Sequence, residues 1–71
     1  MRLTYDDQTD SLYIDLNGKP SVESREVADG VVVDLDAQGG IVGIDIEHAS
    51  ARLDLSSLEA DRLPSRAIKV A

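Results

Sequence analysis

Apolar and polar residues alternate most cleanly from Gly30 to Glu47, GVVVDLDAQGGIVGIDIE. Val31, Val33 and Leu35 hold every second place in the first half, with Asp34 and Asp36 out of phase with them. Val42, Ile44 and Ile46 do the same in the second half, offset from Gly43, Asp45 and Glu47. A period of two puts each apolar set on one face of a pleated strand. Between the halves, Asp36-Ala37-Gln38-Gly39-Gly40 offers residues that accept positive φ, as a short hairpin connection with a bulge requires. The Val and Ile content favours a sheet over a helix. The stretch is a β-hairpin with one apolar face, and Val32 and Ile41 fall on the other.

The same pattern organises the chain before it. Arg2 to Asp6 predicts a short strand with Leu3 and Tyr5 on one face, and Asp7-Gln8-Thr9-Asp10 is a polar turn. Ser11 to Leu16 places Leu12, Ile14 and Leu16 on one side and Tyr13 and Asp15 on the other. Asn17-Gly18 is a hairpin dipeptide, although Pro20 extends the turn. Ser21 to Ala28 is expected as an edge strand. Val22 and Val27 differ in parity and share a face only through a bulge, while Glu23, Arg25 and Glu26 discourage pairing at the edge. Asp29-Gly30 then turns the chain into the central hairpin.

After Glu47 the alternation stops. Ser56-Ser57-Leu58-Glu59 has the spacing of a capping box and predicts a helix that Pro64 ends, with Leu55, Leu58 and Leu63 against the open face of the sheet. Ala49 to Leu53 is expected as a separate helical turn, and Ala67 to Val70 as a short strand or a tail. The expected fold is mainly β (β-rich α+β): a five-stranded antiparallel meander sheet with a short C-terminal helix. It forms one domain, residues 1–47 being the meander and 48–71 a helical segment and tail.

The residues from Tyr5-Asp6 through Asp10-Ser11-Leu12-Tyr13-Ile14, Asp29-Gly30-Val31-Val32-Val33-Asp34 and Gly40-Ile41-Val42-Gly43-Ile44-Asp45-Ile46 are similar to a widespread family of small bacterial proteins. That family is catalogued as a domain of unknown function, numbered two-two-eight-three. The resemblance runs from Leu3 to roughly Ala51 and implies a small β-rich fold of prokaryotic origin. It implies no activity, cofactor or catalytic residue.

Size and charge narrow the function. A 71-residue chain buries only about 60% of the surface its unfolded form exposes. There is no Cys to staple it, and the apolar set is aliphatic apart from two Tyr. Self-association, most simply as a homodimer, is an economical way to gain burial. Seven Lys or Arg against fourteen Asp or Glu give a net charge of −7, which repels phosphate backbones and anionic membranes. Neither nucleic acid nor membrane is expected as a partner, whereas a basic protein fits the sign. The N-terminus lacks an apolar targeting core and no stretch approaches a membrane span, so a cytoplasmic protein is expected.

Candidate chemistry is sparse. Counting Asp34 as the first position of a calcium loop places Asp36 third, Gln38 fifth, Gly39 sixth and Asp45 twelfth. Strands flank this loop instead of helices, and Asp45 is shorter than the usual Glu, so a Gly-rich hairpin turn explains the same residues. Asp34, Asp36 and Asp45 are therefore the weak metal candidates. Asp15, Asp34, Asp45 and Glu47 form an acidic set on the face opposite the core, either a solvated surface or a divalent-ion site. Tyr13, Val32 and Ile41 interrupt it and are expected to lie under the C-terminal helix or another subunit.

His48 is the single histidine. Ser50, His48 and Asp45 supply the letters of a triad but neither a nucleophile elbow nor an oxyanion loop. With no phosphate loop, Cys motif or basic aromatic patch, no cofactor and no catalytic residue are expected. The leading expectation is a non-catalytic, self-associating interaction module. An acidic antitoxin-like partner of a basic protein, and a metal-binding or hydrolytic protein using Asp34, Asp36 and Asp45, are its rivals.

Overall fold

In a computed structural model that describes residues 1–64, five strands form one antiparallel sheet. They are β1 (Arg2–Asp6), β2 (Ser11–Asp15), β3 (Glu23–Ala28), β4 (Val31–Leu35) and β5 (Ile41–Glu47), followed by a four-residue helix α1 (Ala49–Arg52). The β-rich class and the five antiparallel strands agree with the alternation pattern. The order across the sheet is β1-β2-β5-β4-β3, which is not that of a simple meander. The β1–β2 hairpin and the β3–β4–β5 meander are joined where β5 pairs with β2.

The connection over residues 16–22 makes this order possible. It must pass two intervening strands, a lateral distance of roughly 14 Å at ~4.8 Å per strand, which seven extended residues span easily. Asn17-Gly18 turns the chain without closing a hairpin. Asp15 Oδ1 accepts the N–H groups of Asn17 (3.3 Å) and Gly18 (2.8 Å), and Asn17 Nδ2 donates to the Ile41 carbonyl at 3.3 Å. Leu16 N–H then donates to Val42 O and Val22 N–H to Leu35 O, so both ends of the connection are tied to the sheet.

Register places two apolar rows across all five strands. One runs Leu3, Ile14, Ile44, Val33, Arg25 and the other Tyr5, Leu12, Ile46, Val31, Ala28. The bulge in β3 falls where parity demanded one, and that of the central hairpin falls just after its turn. Pairing of β3 with β4 slips between Glu26 and Ala28, setting Val27 aside, and β3 is an edge strand. In the central hairpin Asp34 faces Gly43 but Leu35 faces Ile41, so Val42 is the extra residue; it is only 2% exposed. The buried apolar residues among those described are Leu12, Leu35, Val42 and Ala49, so of the ten positions in the two rows Leu12 alone is buried.

The segment after the sheet departs from expectation. The helical turn forms at Ala49–Arg52, but residues 54–63 are not helical. Ser56 uses its hydroxyl and its N–H on Asp54 Oδ1, closing a local Asx-type turn instead of capping a helix toward Glu59. A short isolated helix has no packing to offset its nucleation cost here. Leu55, Leu58 and Leu63 are exposed. Ala67 to Val70 lie outside the described residues. Among the described residues no helix is long and apolar enough to cross a membrane.

Candidate functional site

On the face opposite the apolar rows, Tyr13 of β2 reaches across β5 to β4. Its hydroxyl donates to Asp34 Oδ2 at 2.8 Å, and Asp34 Oδ1 accepts the Ser24 hydroxyl of β3 at 2.6 Å. The route is open because Gly43, which faces Asp34 in register, has no side chain; a Cβ there would overlap the Tyr13 hydroxyl. Four strands are thus laced by one aromatic, one missing Cβ and one carboxylate. The hydrogen bond to Asp34, then burial, then the charges of Asp34, Asp15 and Asp45 push the Tyr13 phenol up to about 12. On the polar face Tyr13 finds a hydrogen-bond partner in Asp34.

The weak metal candidates serve different purposes. Asp34 is committed to Tyr13 and Ser24. Asp36 staples the central turn, its Oδ1 accepting Gln38 N–H at 3.0 Å and Gly40 N–H at 2.8 Å. Asp45 sits diagonally from Asp34, directly opposite Tyr13 and Val32, and its Oδ1 is buried without a hydrogen-bond partner. Among the described residues no group of three or more His, Cys, Asp or Glu side chains is placed to hold a metal ion.

A depression of ≈ 540 Å³ lies beside Asp45, lined by Thr4, Ser11, Tyr13, Glu47 and His48 among others. His48 begins α1 in the left-handed region (φ 54°) and makes no side-chain cap. The paper triad does not assemble, because the Ser50 hydroxyl donates to Asp10 Oδ2 at 2.6 Å rather than to His48. A depression with three carboxylates (Asp6, Asp45 and Glu47), one imidazole and no activated nucleophile offers polar contacts but no acyl-transfer machinery.

Asp10, which sequence reasoning passed over as a turn residue, is the second organising side chain. Its carboxylate accepts the Tyr5 hydroxyl (2.8 Å) and the Ser50 N–H (3.0 Å) as well as the Ser50 hydroxyl, and its carbonyl accepts Ala49 N–H. It adopts φ 52° to do so. The Ser50 hydroxyl, the Tyr5 hydroxyl and the Ser50 N–H hold its pKa below the ordinary carboxylate value, and the same hydrogen bond raises that of Tyr5. This clamp ties α1 to the β1–β2 turn.

A small antiparallel β-protein with its hydrogen-bonded polar face laced by Tyr13 and Asp34, and its other face apolar, is the class these observations define. The chain belongs to the family described as "Protein of unknown function (DUF2283)", whose model matches residues 2–50. The match takes in all five strands and the first residues of α1, and stops before the irregular segment. No curated protein and no solved structure matches the chain.

Proposed function

We propose that the protein is a non-catalytic module that self-associates through its apolar sheet face. One observation carries this reading: two apolar rows cross five strands, and the only helix among the described residues is four residues long. A single-layer sheet buries too little on its own, since a stable domain needs a second layer against each apolar face. The occupant we favour is a second copy. Face-to-face packing of two such sheets at ~10 Å is ordinary sandwich geometry.

Charge supports the same choice. The rows carry no charged residue except Arg25 at the β3 edge, which pairs with Glu23 at 3.2 Å. Two copies of a chain of net charge −7 would meet through uncharged rows and keep their carboxylates on outer surfaces. Sedimentation velocity over micromolar concentrations tests the reading. A concentration-dependent dimer that Val33→Lys dissociates is expected; a monomer throughout that range overturns it.

A further inference from the structure

We infer that a second copy also joins at the edge of β1 that no described strand pairs, extending the sheet by antiparallel pairing of β1 with β1 about a two-fold axis at Thr4. The inference takes the identity of the occupant from the self-association proposed above and assigns it a different surface.

The two edges of the sheet are not alike. At the β3 edge, pairing is interrupted by the bulge at Val27, and Glu23, Arg25 and Glu26 crowd one short strand; these are the usual devices against edge-to-edge pairing. The β1 edge has no bulge and no charge inside the strand, only Arg2 and Asp6 at its two ends. Its five residues are in unbroken register with β2, all are exposed, and there is no Pro and no Lys.

The sequence of β1, Arg2-Leu3-Thr4-Tyr5-Asp6, is antisymmetric in charge about its centre. Antiparallel pairing centred on Thr4 sets Arg2 opposite Asp6 of the second copy, Leu3 opposite Tyr5, and Thr4 opposite Thr4. Each is a favourable cross-strand combination: opposite charges, an aromatic with an aliphatic, and two threonines. Slipping the register by two residues leaves Arg2 or Asp6 opposite Thr4, and a parallel arrangement aligns like charges. The charges thus select one register and one direction. Every pair in this register has the same parity, so Leu3 and Tyr5 of both copies stay on the apolar face and the rows continue from one copy into the other. Asp6 Oδ1 accepts Gln8 N–H at 3.0 Å, and the intermolecular pair uses Oδ2. The result is an isologous two-fold contact of the strand-addition type.

Arg2→Glu and Asp6→Arg test it, each alone and mixed in equal amounts, with dissociation constants read by sedimentation at low salt. Each variant alone sets like charges opposite and is expected to associate at least about tenfold more weakly. The mixture restores both opposite-charge pairs and should recover wild-type affinity, a rescue that a folding defect does not give. Because the chain has no cysteine, Thr4→Cys should also crosslink on mild oxidation, since directly opposed Cβ atoms approach disulfide distance. Ser24→Cys on β3 should not. If the wild type associates but neither charge variant weakens it and Thr4→Cys crosslinks no faster than Ser24→Cys, the edge contact is wrong while self-association stands. If the wild type is monomeric throughout and Thr4→Cys does not crosslink, both readings fall.

Discussion

Tyr13 and Asp34 are joined by a 2.8 Å hydrogen bond that spans an entire strand, with Gly43 of β5 beneath it. The bond links β2 to β4, which the backbone ladders do not connect directly, and it makes the conformation of one aromatic depend on the absence of one methyl group.

Tyr13→Phe removes the donor and leaves a half-buried carboxylate oxygen without it, at an expected cost of about 1 kcal/mol in urea unfolding. Gly43→Ala displaces the ring itself and should cost more, about 1–3 kcal/mol. Because both act on one contact, the double variant should be less destabilised than the sum, a coupling that a double-mutant cycle measures.

Alkaline titration reads the same bond. The folded-state pKa of Tyr13 is raised to about 12 from 10.0, so its contribution to stability is fully present below pH 10 and is lost as pH rises toward 12. In Tyr5→Phe, which leaves one phenol, ultraviolet absorbance should show phenolate forming near pH 12. A midpoint near 10 in the folded protein refutes the bond.

Acid should act at Asp10. Its folded-state pKa is lowered from 3.8, so the clamp is fully engaged above that value and is lost as pH falls through the depressed one. Asp10→Ala should release α1 at neutral pH, seen as faster hydrogen exchange at Ala49 and Ser50 with little change in the central strands.

Gly30 is constrained twice. It sits at φ 74°, and a Cβ there would meet the Arg52 guanidinium at 3.1–3.4 Å. Gly30→Ala should lower stability by about 1–2 kcal/mol through the left-handed backbone. Adding Arg52→Ala should relieve the crowding but not that conformational cost, so only part of the loss returns.

The strands, the turn at Asp29-Gly30 and the bulge at Val27 were legible because alternation assigns every residue to a face and a parity break demands an extra residue; the edge position of β3 was legible in its charges, and the bulge expected in the Asp36–Gly40 connection falls two residues later, at Val42. Neighbours were not legible. Alternation is blind to which strand lies beside which, so the insertion of β5 between β2 and β4 needed the structure. The capping-box spacing at Ser56 misled because a serine near an Asp two residues earlier closes a turn as readily as it caps a helix. The polar-face network had a faint signal in an aromatic out of phase at Tyr13 and a glycine inside a strand at Gly43. Asp10 had none, because its partners Tyr5 and Ser50 flank it at separations that no local pattern links.

The strand order also sets a schedule for assembly. β1 with β2, and β3 with β4, are contiguous pairs, yet each is a two-stranded ribbon of marginal stability in water. Among the described strands only β5 bonds to both, and it is the last of the five to leave the ribosome. A nascent chain cut short before Ile41 therefore holds two ribbons with nothing between them, and cooperative structure begins with the keystone residues that end at Glu47.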